Sequence, residues 1–406
     1  MATSEDWPRH TSERRAWRQA QRGGSRQDRE LREIRVALPP WIASLDYAPS
    51  QRTAALSERA ASEVAYTEGA AGPHLAALGR FLIQTESVSS SKIERVEAGT
   101  EEFARALVGI KSNPSATSMV AATSALTKMV DDAGRTGRIA LDSVLEAHRI
   151  LMKDDPLDHA YAGRIREVQN WILGSDHSPR GAVHIPPPPE LVEDYLADLV
   201  TYANRDDIPS MVQAAVVHAQ FESIHPFTDG NGRVGRALIN AVLRRRGVTK
   251  ATVVPIATAM VADREGYFAL VNDYRAGRLA PFVESLAGSA VIAAEEARVT
   301  AGRFKDLPAE WRSMVLPRAG TAADVIIGSL LDHPVITADD AIGITKAAPS
   351  ATYAAMDRLQ AVGVVRELTG RKRDRVWAAS DILAELDDLT FRIAQRVRAS
   401  RRARGV

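Results

Sequence analysis

The segment 221–236, FESIHPFTDGNGRVGR, constrains the fold of this chain more than any other part of its sequence. Apolar residues at helical spacing lead up to His225, and a short loop follows. The run Gly230-Asn231-Gly232 then opens a second helix. Backbone N–H groups at the start of a helix have no partner within it, and glycines let an anion approach them closely. The sequence therefore predicts two helices joined by a loop, with an anion site where the second helix begins.

Charged side chains surround this predicted anion site. Arg233 and Arg236 are three positions apart in the first turn, so both can reach the same anion. Asp229 precedes the glycines and is placed to hold Mg²⁺ that bridges phosphate oxygens. His225 can act as a general base at neutral pH. Together these residues indicate transfer chemistry on a nucleotide polyphosphate.

Other interpretations of the segment fit less well. Residues 230–235 also match G-x-G-x-x-G, but a dinucleotide fingerprint should follow a hydrophobic strand directly, with an acidic residue closing a second strand. Here Pro-Phe-Thr-Asp precedes the glycines, and the run 252–256 contains no carboxylate. The sequence contains no G-x-x-x-x-G-K-[ST], which argues against a P-loop enzyme. A purely structural helix start would leave His225 and Asp229 unexplained.

The segment resembles the signature of the Fic family, HxFx(D/E)GNGRxxR, and every specified position matches. The resemblance covers about residues 38–290. It implies an all-α fold, with a mainly helical Fic core that carries a small β-hairpin flap over residues 164–185. It also implies that the chain transfers AMP from ATP, with Mg²⁺, to a Ser, Thr or Tyr hydroxyl of a target protein docked on this flap.

The resemblance assigns a role to each matching residue. His225 is implied to be the base that deprotonates the target hydroxyl, and Asp229 to be the Mg²⁺ ligand. The implied nucleotide-binding residues are Phe227, Thr228, Gly230, Asn231, Gly232, Arg233, Arg236 and Tyr267. The two arginines would grip the β- and γ-phosphates, and Tyr267 would lie by the adenine. Phe227, which would support the loop from beneath, and Tyr267 could equally be ordinary core residues.

A second element, SSSKIER at 89–95, resembles the inhibitory motif (S/T)xxxE(G/N) of many Fic proteins. Ser90 and Glu94 match, whereas Arg95 stands where Gly or Asn is usual. The resemblance implies that Glu94 pairs with Arg236 and removes the partner of the γ-phosphate. The alternative is that Glu94 is a surface charge on an amphipathic helix. The serines are predicted to cap the helix that follows them.

The C-terminal part predicts a winged helix, because short helices at 338–342 and 349–362 precede a basic hairpin at 364–378. Its presumed wing carries Arg371, Lys372, Arg373 and Arg375. These could contact DNA phosphates, but winged helices also bind proteins or form dimers, so DNA, another protein and a homodimer all remain candidate partners. The predicted organisation is a basic, disordered arm (1–35), an N-terminal helical region with the inhibitory helix (36–130), the Fic core (131–295), the winged helix (315–385) and a basic helical tail (386–406).

Composition limits the remaining choices. Lys and Arg number 52 against 51 Asp and Glu, which argues against a globally basic nucleic-acid coat. The absence of cysteine excludes disulfides, zinc thiolates and cysteine nucleophiles. The sequence lacks an apolar leader or long apolar run, so a cytoplasmic protein without membrane contact is expected. Two other functions remain open: a DNA-binding regulator with a nucleotide-sensing Fic core, and a Fic enzyme that removes AMP or transfers another nucleotidyl or phosphoryl group.

Overall fold

The computed structural model of this 406-residue chain describes residues 7–19, 23–111, 113–371 and 373–404. The expectation of a mainly helical protein is confirmed. The chain forms two compact units. The first combines the described residues of Met1–Ala61, Ser124–Val248 and Arg264–Gly288, and the second combines those of Ser62–Thr123, Thr249–Asp263 and Ser289–Val406. Lys372 and part of the predicted N-terminal arm lie outside the described residues.

The helices and strands follow each other along the chain in a simple order. The helices are α1 (Arg26–Glu30), α2 (Gln51–Ala71), α3 (Leu75–Ile93), α4 (Thr100–Leu107), α5 (Pro114–Thr136), α6 (Leu141–Met152), α7 (Val192–Ala203), α8 (Ser210–Ile224), α9 (Asn231–Arg245), α10 (Ile256–Ala262), α11 (Arg264–Arg275), α12 (Ala280–Val315), α13 (Ala322–Ser329), α14 (Ala338–Thr345), α15 (Pro349–Ala361) and α16 (Ser380–Arg404). The strands are β1 (Thr11–Ala16), β2 (Glu33–Leu38), β3 (Val335–Thr337), β4 (Val365–Glu367) and β5 (Val376–Ala379). No helix among the described residues is both long enough and apolar enough to cross a membrane.

The core of the first unit is the pair α8 and α9. Every residue of α8 from Met211 to Ile224 is buried, as expected for a helix surrounded by other elements. Gly235 lies where α9 approaches α8 most closely. A Cβ atom there would be 2.7 Å from Oε1 of Glu222 and 3.0 Å from the Phe221 ring. This close approach brings the end of α8 and the start of α9 together.

The prediction of a disordered arm over residues 1–35 is wrong for the described part of that segment. β1 and β2 form an antiparallel pair in which Thr11 faces Leu38 and Ala16 faces Glu33. Ile34 and Val36 are buried on one face of β2, and Trp7 packs its ring against Tyr47. A few apolar residues therefore anchor a segment whose many arginines lie at its surface, and overall composition concealed this pattern.

The β-hairpin predicted for residues 164–185 does not form regular strands. Within the flap, defined as residues 164–185, the paired positions are the isolated bridges Ile172 with His184 and Ser175 with Ser178. The backbone groups that a β-ladder would use form hydrogen bonds with other parts of the chain. The Arg166 N–H donates to the Pro226 carbonyl at 2.9 Å, and the Ile185 carbonyl accepts from the Ala37 N–H at 2.8 Å.

The second unit contains α3 and the C-terminal elements. The serines at 89–91 lie inside α3 and do not cap a following helix, so that prediction is wrong. Instead, Ser91 donates its hydroxyl to the Ser87 carbonyl at 2.9 Å, one turn back in the same helix. The strands β3, β5 and β4 form one antiparallel sheet in that order. In α16, Arg392 bonds Glu296 and Glu385, so part of the predicted basic tail is neutralised internally.

Candidate active site

The site begins where α8 ends at His225. This residue adopts the left-handed conformation, with φ 49° and ψ 62°, which is uncommon for a residue with a side chain. Its carbonyl accepts hydrogen bonds from Nε of Arg166 at 2.9 Å and from Nδ2 of Asn170 at 3.2 Å. The surrounding structure therefore holds His225 in a backbone conformation of the kind often found at active sites.

Arg166 is the main anchor of this helix end. Its side chain is almost fully buried and also donates to the carbonyls of Val168 at 3.0 Å and Pro187 at 2.6 Å. Nearby, Nε2 of the buried His184 donates to the Ser223 carbonyl at 2.9 Å. The last carbonyls of α8, which lack partners within the helix, are thus satisfied by flap residues.

The loop after His225 is shaped by Asn231. Its Oδ1 accepts from the Phe227 N–H and its Nδ2 donates to the Phe227 carbonyl, each at 2.8 Å. The Phe227 ring is fully buried and stacks on His148 at a centroid distance of 3.7 Å. Both polar atoms of the Asn231 side chain are therefore committed to the loop, so any contact of Asn231 with an anion falls to its backbone N–H.

Helix α9 starts at Asn231, directly after Gly230. Gly230, at φ 76°, has no side chain that could cap the helix, and a Cβ there would lie 3.0 Å from Leu151. The first helical bond runs from the Val234 N–H to the Gly230 carbonyl at 3.1 Å. The N–H groups of residues 231–233 precede this bond and point out of the helix start. The sequence predicted an anion site at this helix start, and anion binding there stays a prediction.

His148 fixes the acidic end of the loop. Its Nδ1 accepts from the Gly163 N–H at 2.9 Å, so its proton lies on Nε2, which donates to the Asp229 carbonyl at 3.1 Å. Burial lowers the pKa of His148 to about 4, so the ring is neutral and keeps this tautomer at neutral pH. The Asp229 backbone is thereby held while its side chain stays accessible.

Charged groups gather at the start of α9. The Asp229 side chain is 56% exposed, and its Oδ2 lies 3.4 Å from Nη2 of Arg233. Arg233 and Arg236 are both buried. Burial, together with the negative charge of Asp229 and Asp155, raises the pKa of Asp158. The loop therefore presents negative charge beside two buried cations, which suits a ligand that carries both phosphate and a metal ion.

The surroundings of His225 set its protonation state. Burial, and then the positive charges of Arg166 and Arg275, lower its pKa to about 3. The imidazole is therefore neutral at neutral pH. A neutral ring nitrogen can take a proton from a hydroxyl, whereas a protonated ring could not.

The remaining predicted site residues lie apart from this centre or serve other contacts. Thr228 is half-buried, and its hydroxyl makes no hydrogen bond within the described residues. Tyr267 is buried in the first unit, with its hydroxyl 3.0 Å from Nε2 of His218. It therefore packs as a core residue, and its contact with adenine stays a prediction. Ser90 is buried within α3 and Glu94 is exposed at the end of that helix, both in the second unit.

Sequence reasoning missed the residues that hold the site together, namely His148, Arg166, Asn170 and His184. All four bond backbone carbonyls of the segment 223–229. The signal that could have revealed them is the need of a buried helix end for donors, combined with long polar side chains in a run expected to form strands.

Comparison with known proteins agrees with this geometry. Residues 134–243 match the model of the Fic/DOC family. It is 34% identical over 153 residues to the protein adenylyltransferase fic-1 of Caenorhabditis briggsae, covering 37% of this chain and 27% of that protein. It is 33% identical over 153 residues to the protein adenylyltransferase Fic of Nematostella vectensis, covering 37% and 32%. The chain thus spans about a third or less of the length of these relatives.

Solved structures show the same fold at low identity. A Fic family protein from Desulfovibrio desulfuricans aligns with a TM-score of 0.53 and 20% identity, covering 82% of this chain and 97% of the other. A Fic domain containing signaling protein from Bacteroides thetaiotaomicron aligns with a TM-score of 0.50 and 18% identity, covering 60% and 97%. At these identities the likeness concerns the fold alone.

Proposed function

We propose that this protein is an adenylyltransferase that transfers AMP from ATP to a Ser, Thr or Tyr hydroxyl of a target protein. The observation that carries this proposal is the neutral His225 held beside the open N-terminus of α9, where Asp229 and Arg233 lie within 3.4 Å of each other. The names of the relatives over the matching region support the same activity.

The reaction follows from the position of these groups. His225 accepts the proton of the target hydroxyl as its oxygen attacks the α-phosphorus of ATP. The bond from this phosphorus to the bridging oxygen breaks, and pyrophosphate leaves with the electron pair. Arg233 and Arg236 compensate the negative charge of the leaving group, and the N–H groups at the start of α9 bind phosphate oxygens. The hydroxyl oxygen ends in a phosphodiester bond to AMP.

Asp229 is the residue that would hold Mg²⁺. Its carboxylate is exposed, and Mg²⁺ is commonly bound by one or two carboxylates plus substrate phosphates. Within the described residues no group of three or more potential ligands could hold a metal by itself, so nucleotide phosphates would complete the coordination. When bound, the ion would neutralise developing charge on the phosphates.

The flap is the surface on which the target would dock. Leu173 and Val183 are 71% and 56% exposed, next to the bridge between Ile172 and His184. Large apolar side chains this exposed suit contact with another protein. The flap root is bonded to the loop after α8 through Arg166 and Asn170, so a docked segment would be held near His225.

Glu94 is proposed to inhibit the enzyme by pairing with Arg236. It caps α3, whose end has the geometry of a Schellman motif: the Arg95 N–H bonds the Lys92 carbonyl and the Val96 N–H bonds the Ser91 carbonyl. Arg95 occupies the left-handed position at φ 61°, where Gly or Asn is easier to accommodate. This conformation gives a physical reason for the small residue usual in the motif.

The C-terminal elements α13 to β5 are proposed to form a winged helix that contacts protein. Their order of helices and the three-stranded antiparallel sheet support this assignment. Arg375 of the presumed wing bonds Asp357 at 2.9 Å and lies 4.6 Å over the Trp377 ring, so its charge is engaged internally. Asp357 also adds negative charge to α15, the second of the two short helices of the predicted winged helix, which disfavours a nucleic-acid phosphate there.

Transfer of label from ATP tests the proposal. Compared with a lysate to which no protein is added, the added protein should increase labelling from ATP labelled at the α-phosphate and should not increase labelling from ATP labelled at the γ-phosphate. His225→Ala should abolish this label, yet calorimetry should find unchanged affinity for ATP because other groups hold the phosphates. His159→Ala, at an exposed histidine outside the site, is the matched control and should keep full transfer. Label from the γ-phosphate would instead indicate a phosphoryl transferase.

A further inference from the structure

A buried carboxylate joins the N-terminal hairpin to the flap. Asp28, in α1, is only 2% exposed. Its Oδ2 accepts from the N–H and the hydroxyl of Ser25, at 2.8 and 2.6 Å. Its Oδ1 accepts from the hydroxyl of Ser178 at 2.7 Å and from Nε of Arg180 at 3.1 Å. One oxygen therefore caps the N-terminus of α1, while the other accepts hydrogen bonds from Ser178 and Arg180 at the tip of the flap.

The second set of contacts goes beyond what a helix cap requires. A capping box needs one acceptor at the third helical position, and Oδ2 already supplies it. Oδ1 is free to bind the flap, and its two donors come from a segment 150 or more positions away. Hydrogen bonds donated by Ser25 and Ser178 hold the pKa of Asp28 well below its usual range, so the carboxylate is ionised at neutral pH.

The backbone near Asp28 is also fitted to the flap. Gly24 has φ 74°, and a Cβ there would be 2.7 Å from Cβ of His177. Gly23 has φ 140°, and its added Cβ would be 3.0 Å from the His177 ring. Trp17 packs edge to face on Trp171 with ring centroids 5.7 Å apart. The chain around Asp28 thus follows the surface of the flap tip closely, and glycine permits this approach.

The flap tip is closed by short-range hydrogen bonds of its own: the Ser175 N–H donates to the Arg180 carbonyl at 3.0 Å and the Ala182 N–H to the Pro179 carbonyl at 3.1 Å. The described residues of the flap form two isolated bridges, and the Trp171 indole N–H donates to the Ser175 carbonyl at 2.8 Å. The root of the flap is bonded to the carbonyls of His225 and Phe227. These short-range bonds do not fix where the tip lies; Asp28 bonds the tip to the N-terminal hairpin, whereas the root is bonded to the loop beside the proposed base.

We infer that Asp28 is a positioning residue, which holds the flap in the conformation that receives a target segment beside His225. This inference rests on the proposed function, since the flap is the surface on which the target would dock. The side-chain contacts of Asp28 are to Ser25, Ser178 and Arg180, which are not among the residues proposed to bind nucleotide. Its removal should therefore weaken target binding and leave nucleotide binding intact.

Asp28→Asn in the full chain tests the inference, because the amide keeps the size of the side chain and removes one acceptor oxygen. Deuterium uptake of peptides covering 171–184 should rise, while peptides of α8 should be unchanged. With α-labelled ATP and a lysate as probe, the lysate concentration for half-maximal labelling should rise roughly tenfold at an unchanged plateau. Ser178→Ala should act in the same direction, and combining the two should add little. Ser25→Ala, which removes only the local cap, should leave the labelling curve unchanged.

Three results would decide against the inference or against its premise. Unchanged deuterium uptake over 171–184 in both Asp28→Asn and Ser178→Ala would overturn it. A wild-type labelling curve in both variants, despite faster exchange, would overturn the role in target binding. A lack of label in the wild-type reaction would instead overturn the proposed function.

Discussion

The side chain of Asn231 and the backbone of Phe227 form a closed pair of hydrogen bonds, each 2.8 Å long. This pair spans the loop between α8 and α9, with the first residue of α9 holding the second residue after His225. One amide therefore links the loop that follows the proposed base to the helix start proposed to bind phosphate. An acid in its place could not supply the donor that the Phe227 carbonyl uses.

The first prediction concerns this amide. Asn231→Ala should lower the free energy of unfolding by about 1–3 kcal/mol, because the buried N–H of Phe227 loses its acceptor. Label transfer should fall as well, because the loop is no longer fixed. Urea denaturation and label transfer measure the two effects. Asn272→Ala, at an exposed position of α11, is the control, and an equal loss in both variants would contradict a special role for Asn231.

The second prediction concerns Asp229. Asp229→Ala should remove the dependence of ATP affinity on Mg²⁺, because the exposed carboxylate is the proposed ligand. Calorimetric titrations with Mg²⁺ and with EDTA measure this dependence. Asp142→Ala, an exposed carboxylate of α6, should retain it. Full Mg²⁺ dependence in Asp229→Ala would exclude this residue as the ligand.

The third prediction concerns Glu94. An ion pair of an exposed carboxylate contributes at most about 1 kcal/mol, so Glu94→Gly should raise label transfer by no more than about fivefold. Arg236→Ala should break the same proposed pair and yet reduce transfer, because Arg236 also serves the leaving group. Initial rates of labelling distinguish the two. Equal rates in Glu94→Gly and the wild type would show that Glu94 does not inhibit.

The fourth prediction concerns Arg95. Arg95→Gly should raise the free energy of unfolding by about 0.5–1 kcal/mol, because glycine adopts the left-handed conformation without a Cβ penalty. Arg95→Ala is the matched control: it removes the same charge and keeps a Cβ, so it should give no such gain. Chemical denaturation compares the three proteins, and equal stabilisation by Gly and Ala would point to the charge instead.

The fifth prediction is a loss of stability in acid. Burial lowers the pKa of His218 and His225 to about 3 and that of His148 to about 4, from 6.5 in the unfolded chain. Below pH 6.5 these histidines bind protons in the unfolded state but not in the folded state. Each of them therefore lowers the free energy of unfolding by about 1.4 kcal/mol per pH unit as the pH falls towards its folded pKa. Denaturation between pH 7 and pH 4 measures this slope. A flat profile below pH 6.5 would contradict it, and His218→Gln should make the slope shallower.

The parts of the site that depend on neighbours in sequence could be predicted. The stop at His225 and the start at Asn231 follow from local features, since proline and glycine act on adjacent residues. Pairing between β1 and β2 is not local, and an arginine-rich composition pointed to disorder. The prediction that the serines of α3 cap a following helix failed for a related reason. A buried serine hydroxyl bonds a carbonyl one turn back in the same helix, and the local sequence does not show that the serine is buried.

The order of segments in the two units decides how this protein can be divided. The chain passes from one unit to the other after residues 61, 123, 248, 263 and 288. Each unit therefore needs three separate stretches of chain, and α10, which belongs to the second unit, is supplied by the stretch directly after α9. No single cut yields either unit complete. Fragments truncated at one end should not fold as independent units, and the helices that hold the proposed base and those that hold Glu94 have to be synthesised as one polypeptide.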